Sequence, residues 1–561
     1  MPSLSPQEKR TRWSAGVLAA LLALTAAGAG VNFTPSGIMS AGFNFMVAGG
    51  GSASAAPVRG GTLVVGLDSQ PVTLDPHASG AAISYLIAGL QTTESLVYQQ
   101  PDGRLVPWLA ESYTVSPDGK TFTFVLRNDV TFTDGAPFNA EAVKWNLDRI
   151  VNPAFKPGGA LNALVGYTGT TVVNDRTARV TFKEPYAPFL AYAAVGVLAM
   201  LSPRTTPGQG ADVAKRPVGT GPFTVSEYVA QDHITLARNG SFNRREPWSD
   251  HQGPPYLDRI VWRNIPESNS RNVTVETGET QMIYLYSSPG SALAQLQRNK
   301  ALRIETRPFP GSSYFWWMNV KLPPTDNVQV RRALSYAINR AAIVGSVYKG
   351  LDEIGCGLLS QSMLKDPGAC AYYPHNPAKA AQLLDEAGWK MGPNNTRMKD
   401  GKPLSLVINS LNYGGGNFPE VELVQGQFLQ LGVDARIKSS AAPAWLDDNF
   451  RCATNMGSIF LRTNEPDALY ALFDSATIGS NFNWACYSNR EVDALLDQGR
   501  ATLDPAKRRA IYLKIQHMLL DQAVAIPMMD KLSVWAIRDS VKNVKYNYSS
   551  YPALSDTYIQ K

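Results

Sequence analysis

The sequence predicts an α/β protein, and three features of it do so. Short apolar runs bounded by turn residues fill the region after Arg59, helical spacing recurs in the second half, and residues 404–437 read as strand, helix and strand. The first strand is Thr62–Leu67, followed by a loop over Pro71–Pro76. Tyr113–Val115 and Thr121–Leu126 flank Ser116-Pro-Asp-Gly119, and that Asp-Gly turn predicts a hairpin. Asn139 precedes Val143, Leu147 and Ile150 as the N-cap of an amphipathic helix. Apolar residues at Val330, Leu334, Ala337 and Ile338 predict a helix within Asp326–Ile343. Asn376-Pro377 opens another that Gly388 ends, and Ser488 with Glu491 forms a capping-box pattern. Asp504-Pro505 begins a last helix running to about Leu520. Between Leu404–Asn409 and Val433–Ile437 the helix from Phe418 stops at Gly432, which makes a βαβ unit with a parallel strand pair.

Length and composition agree with a multidomain globular chain. At about 150 residues per domain, 561 residues give three to four domains; 44% are apolar and 17% charged. The net charge of +6 falls to +4 once Glu8, Lys9, Arg10 and Arg12 are set aside, too little for a nucleic-acid-binding surface. Those basic residues precede an uncharged stretch, Ala15–Gly30, in the pattern of a secretory signal. Two small-residue cleavage sites follow, Ala27-Gly-Ala29 and Ala53-Ser-Ala55. The later one is preferred, giving a signal peptide over 1–55 and a soluble periplasmic chain. The uncharged stretch Pro185–Pro203 is crowded by prolines and reads as a buried helix running into a strand rather than a membrane span.

Four cysteines, Cys356, Cys370, Cys452 and Cys486, suit two disulfides in an exported protein, and no CxxC spacing suggests zinc. Pairing near neighbours closes loops worth roughly 3–4 kcal/mol each on the chain-entropy model. The histidines form no metal-ligand spacing, Gly219-Thr-Gly221 completes no dinucleotide fingerprint, and no GxSxG elbow occurs. Neither a metal, a cofactor nor catalysis is called for.

Six blocks in order carry a resemblance. They are Leu105–Arg127, Val130–Gly135, Pro217–Phe223, Val330–Arg340, Ala378–Gly388 and Tyr487–Leu496. Together they resemble the solute-binding proteins of peptide/nickel-type ABC importers, extracellular solute-binding protein family 5. The resemblance implies a two-lobed periplasmic-binding-protein fold with a hinge and an additional small domain on lobe one. Lobe one is then 57–95, 206–308 and 528–561, the small domain 96–205, and lobe two 309–527. The first strand crossing between lobes is expected at Tyr314–Asn319. The implied function is capture of a peptide or peptide-like small organic solute by hinge closure and delivery to an inner-membrane permease, with a monomer as the working unit and no enzymatic step. The alternatives are an exported hydrolase or a ligand-presenting chemoreceptor partner on the same fold.

In oligopeptide receptors of the family, an aspartate before an Asn-Glu-Pro-like turn receives the peptide's amino group. Aligning Asn464-Glu-Pro466 puts Arg462 there, with Ile459 where those receptors carry Trp. A guanidinium favours carboxylate or phosphate, which points to an acidic or amine-blocked ligand such as an opine or sugar acid. The competing readings are a shifted register or a pairing of Arg462 with Glu465. The loop Asn412–Asn417, between a strand end and a helix start, is a second anion-collecting candidate through its three glycines and Asn417. Trp317, one of two tryptophans alternating on the expected crossing strand, and Trp445, Trp484, His77 and Tyr85 complete the candidate ligand contacts.

Overall fold

In the computed structural model, which describes residues 56–79, 81–205, 212–285, 290–349, 351–412 and 417–560, the α/β pattern resolves into one long mixed sheet and a separate four-stranded one. Thr62–Leu67 forms the strand its sequence predicts, and pairs in parallel with Arg259–Asn264 and Met282–Tyr284. His233–Arg238 and Phe223–Val229 extend this end antiparallel. Leu63, Val65, Leu236, Ile260 and Trp262 bury its face together with Trp535. This is the first lobe.

The second lobe holds the βαβ unit. Ser405–Leu411 and Asp434–Ser440 pair in parallel, joined through the helix Pro419–Gln430, and Gly432 takes φ +87° where that helix ends. Met456–Ile459 and Tyr314–Met318 continue the sheet. Both faces are covered, so successive side chains of Tyr314–Met318 enter two different cores: Trp316 is 0% and Trp317 2% exposed. The expectation that one of these tryptophans faces the cleft is therefore corrected.

The crossing strand also differs from expectation. Tyr314–Met318 lies wholly in the second lobe, and the strand that spans both is Ala525–Arg538. Its first residues pair with Tyr314–Trp317, and Leu532–Arg538 pair with Leu302–Pro308. The connection Phe309–Ser313 runs beside it as the second crossing.

The smaller sheet has the order Ala110–Val115, Thr121–Leu126, Thr177–Phe182, Tyr167–Asn174, backed by the helix Ala140–Val151. Asn139 caps that helix by accepting from the Ala142 N–H. Phe122, Phe124, Phe182 and Phe189 join Val143, Leu147 and Ile150 in a core of its own. Pro185–Pro203 is buried against it as one helical turn, Phe189–Tyr192, a 3₁₀ turn, Gly196–Leu198, and a bridge from Met200 to Glu94. No described helix is long and apolar enough to cross a membrane. Glycines of the block Pro217–Phe223 let it lie against the backbone of Thr92, since a Cβ on Gly219 would meet the Thr92 carbonyl at 2.2 Å.

Two helix ends shift from their sequence reading. The helix from Val328 stops at Ala337, Ile338 is extended, and Asn339 caps a new turn at Arg340. The cap of the helix Arg490–Ala501 is Asn489, not Ser488, and Glu491 pairs with Lys514 instead of closing a capping box. Cys356 is bonded to Cys370 and Cys452 to Cys486, the near-neighbour pairing. The signal segment 1–55 lies outside the described residues.

Candidate functional site

The candidate site is built where the chain leaves the second lobe's sheet after Ile459. Ser312 N–H donates to the Leu461 carbonyl at 2.9 Å, and Leu461 N–H donates to Ser312 Oγ at 2.8 Å. Gly311 makes this approach possible: its φ is +134°, and a Cβ there would meet the Leu461 carbonyl at 2.2 Å. The backbone of Arg462 is thereby fixed against a crossing connection between the lobes.

The Arg462 side chain points to the first lobe. Its guanidinium carbon lies 3.7 Å from the Phe309 ring centre, Nη1 donates to the Tyr551 hydroxyl at 2.6 Å, and Nη2 to the Tyr284 hydroxyl at 3.4 Å. Tyr284, Tyr551 and Phe309 belong to the first lobe's core, and Tyr284 packs on Trp535 at 4.8 Å. Next along the chain, Ser549 Oγ donates to Asn464 Oδ1 at 2.6 Å, a second contact between lobes. Glu465 pairs with Arg508 and Asp467 with Arg500, so Glu465 is committed away from Arg462. A half-buried guanidinium stacked on an aromatic face and lined by hydroxyls is suited to a planar anion.

The other sequence candidates divide into three groups. Tyr85 is half-buried and donates its hydroxyl to the Ser79 carbonyl at 2.7 Å; burial first, and then the nearby Tyr551, push its hydroxyl well above the usual tyrosine range. Trp317, Trp445 and Trp484 gather elsewhere, within the second lobe. Trp484 meets Trp445 edge-on at 5.0 Å and Trp317 at 6.4 Å, and Trp317 and Trp484 are both 2% exposed. Only Trp445 of the three is more than marginally exposed.

His77 lies in neither place. It is fully buried, with Nε2 donating to the Ala199 carbonyl at 2.9 Å and Nδ1 accepting from Arg149 at 2.8 Å. Burial pulls its pKa down to about 4 against the favourable field of Asp75, so the ring is neutral at neutral pH. Both ring nitrogens serve the Asp75–Arg149 pair and the core beneath the small sheet, which corrects the expectation of a ligand contact. Asn417 is half-buried, and its Oδ1 meets no donor among the described residues. The rest of the glycine loop, 413–416, lies outside the described residues.

Sequence reasoning missed the partners of Arg462. Tyr284 and Tyr551 are 178 and 89 residues away along the chain, and no local pattern marks them. A surface cavity of about 510 Å³ lies on the helices Val328–Ala337 and Pro377–Glu386, away from all of these residues. Among the described residues, no cluster of three or more His, Cys, Asp and Glu is arranged to hold a metal.

Comparison with known proteins gives this geometry a context. Residues 104–481 match the model of the bacterial extracellular solute-binding proteins, family 5. The chain is 33% identical over 478 residues to the glutathione-binding protein GsiB of Salmonella typhimurium, covering 83% of this chain and 88% of that one. Among solved structures it is similar to NikA from Brucella suis in complex with Fe(III)-EDTA, with a TM-score of 0.79 and 24% identity over 89% of this chain and 100% of that one. The ABC transporter-associated periplasmic binding protein DppA from Helicobacter pylori, in complex with peptide STSA, gives 0.75 and 24% over 90% and 99%. These structures share the two-lobed fold.

Proposed function

The chain belongs to the bacterial extracellular solute-binding proteins of family 5, and from that premise we propose that its cleft captures a small peptide-like solute bearing more carboxylate than ammonium. Glutathione is the first candidate. It carries two carboxylates against one ammonium, and the GsiB relatives bind it by name. The observation that carries this reading is the position of Arg462 at the lobe junction, its guanidinium stacked on Phe309 and hydrogen-bonded to Tyr551. An acidic opine or sugar acid meets the same requirement. The chain then serves as the extracytoplasmic substrate-binding component of an ABC importer, a monomer that closes on its solute, hands it to a permease and performs no chemistry. Residues 1–55 are its cleaved signal, the small sheet within 96–205 is an added domain of lobe one, and lobe two lies within 309–527, entered through the crossing connection Phe309–Ser313. The two disulfides suit an oxidising compartment.

The test is calorimetric titration with glutathione, with alanyl-alanine as a peptide of balanced charge, and with mannopinic acid as an acidic opine. A charge-assisted hydrogen bond contributes about 1.5–3 kcal/mol, so Arg462→Ala is expected to weaken an acidic ligand roughly tenfold to a hundredfold. Alanyl-alanine bound as tightly as the acidic ligands, with an affinity that survives Arg462→Ala, would return the cleft to ordinary peptide recognition. Turnover of any ligand would point to the hydrolase reading.

A further inference from the structure

The segment that carries Arg462 continues to a further contact between the lobes. Asp467, 3% exposed, accepts from Arg500 Nε at 2.9 Å and from Arg500 Nη2 at 3.1 Å. Arg500 lies at the end of the helix Arg490–Ala501, where the last carbonyls have no donor within the helix. Three successive carbonyls there find separate partners. Gln498 accepts from the Thr502 hydroxyl at 2.7 Å and Gly499 from Arg508 Nε at 2.8 Å, both within the second lobe. The third, Arg500, accepts from the Ala187 N–H at 2.8 Å, and Ala187 belongs to the chain packed under the small sheet.

Two further contacts surround this hydrogen bond. The Arg500 guanidinium is layered on Tyr470 of its own lobe at 3.5 Å and stands 5.7 Å from the ring of Tyr186 opposite. A Cβ on Gly119, in the hairpin turn of the small sheet, would touch Leu503 Cδ1 at 3.3 Å. Tyr186 is in the small sheet's core, whereas the residues beneath Arg500 belong to the second lobe's, so the contact joins two separately packed bodies.

We propose that Ala187, Tyr186 and Gly119 on one side, with Arg500 and Leu503 on the other, form a latch that sets the lifetime of the closed protein without touching the ligand. The helix-end carbonyl goes to water when the lobes part and to Ala187 when they meet. Asp467 holds the Arg500 side chain in place in either state, so the latch re-forms on each closure. Arg462 and Asp467 are five residues apart on one segment, which puts ligand recognition and latching on the same piece of chain. This inference deepens the hinge-closure reading above but is independent of which solute is captured.

The test uses single-molecule energy transfer between dyes on Val173→Cys and Leu429→Cys, exposed positions of the small sheet and the second lobe. The four native cysteines are held in disulfides and do not compete for label. Closed dwell times are recorded without ligand and with glutathione, in the wild type, in Leu503→Asp and in Ala187→Pro, which removes the one N–H. Both variants are expected to shorten the closed dwell at least about fivefold in each condition, with the rate of closing little changed. Unaltered dwell times in both variants, or a wild type that never visits the closed distance in either condition, would overturn the latch. Glutathione that leaves wild-type dwell times unchanged, while ligand-free closures still shorten in the variants, would reject glutathione as the solute and keep the latch. Melting curves identify any variant that has lost its fold, and the other one then decides.

Discussion

In the first lobe, Glu94 pairs with Arg244 while Glu246 lies beside the same arginine without an ion pair to it, and the Trp108 indole N–H donates to both acids, at 3.0 and 2.7 Å. At the lobe junction, Glu465 and Asp467 have an arginine each, Arg508 and Arg500. All four carboxylates are at most 3% exposed, so burial is equal and the difference is charge balance. With two acids beside one arginine, burial and the neighbouring Glu94 drive the Glu246 carboxyl far above its ordinary range. That arrangement is locked: Arg244 also donates to the Thr220 carbonyl at 2.6 Å, in the glycine-flanked turn pressed on Thr92. At the junction each acid faces its own arginine, so the surfaces around the pairs can part and rejoin without leaving either acid without a cation. Buried charge seals the floor of the first lobe, and at the junction it steadies a surface that moves.

The largest expected effect separates the two. Arg244→Leu removes the ion-pair partner of the buried Glu94, and losing one member of a buried pair costs about 3–5 kcal/mol. Arg500→Leu is expected to cost roughly half as much, because Arg508 stays in the field of Asp467 and still balances it, whereas Glu94 is left beside a second buried acid, Glu246. Urea unfolding at neutral pH measures both. Equal losses would mean that the junction is as rigidly built as the floor.

A second measurement turns on His77, part of the same sealed floor. Its pKa falls from about 6.5 unfolded to about 4 folded, so the folded state resists protonation. The stability this neutral ring contributes is present above the unfolded value and is lost as the pH drops from there towards 4. The full loss is about 3 kcal/mol. Asp75, held below the ordinary carboxylate range by Arg149 and His77 in spite of its burial, loses stability in the same direction as the pH falls. His77→Gln is expected to flatten the unfolding free energy between pH 6.5 and 4 relative to wild type. An unchanged slope would mean that the His77 ring does not drive the acid sensitivity; Asp467, pushed up to about 6, shifts stability the opposite way over this range.

Much of this frame was legible in the sequence because it depends on local rules. Thr62–Leu67, the Asp-Gly hairpin, the βαβ unit and the near-neighbour disulfides follow from alternation, turn chemistry, helical spacing and cysteine spacing. What sequence misassigned depends on what packs where. Trp317 reads as a half-exposed strand residue until the sheet is found to be covered on both faces. His77 follows a strand and looks available, yet Arg149 and Ala199 close over it from distant segments. Arg462 could be singled out by register with an Asn-Glu-Pro turn, but its partners Tyr284 and Tyr551 arrive through tertiary folding alone.

The smallest effect sharpens the comparison at the junction itself. The helix Arg490–Ala501 is held at its start by Asn489, whose Oδ1 accepts from the N–H groups of Glu491 and Val492 at 2.9 and 3.3 Å. Ser488 turns away and meets the Ser475 hydroxyl at 3.0 Å. Asn489→Ala therefore costs about 1 kcal/mol of folding stability, and Ser488→Ala close to nothing. The latch end of this helix is held separately by Thr502 and Arg508, a full helix length away. Asn489→Ala is accordingly expected to lower the unfolding midpoint while leaving the closed dwell time at its wild-type value, whereas Leu503→Asp should do the reverse. If Asn489→Ala shortens the closed dwell as much as Leu503→Asp does, the junction contact reports fraying of the whole helix, and the moving surface owes its lifetime to helix stability and not to Ala187.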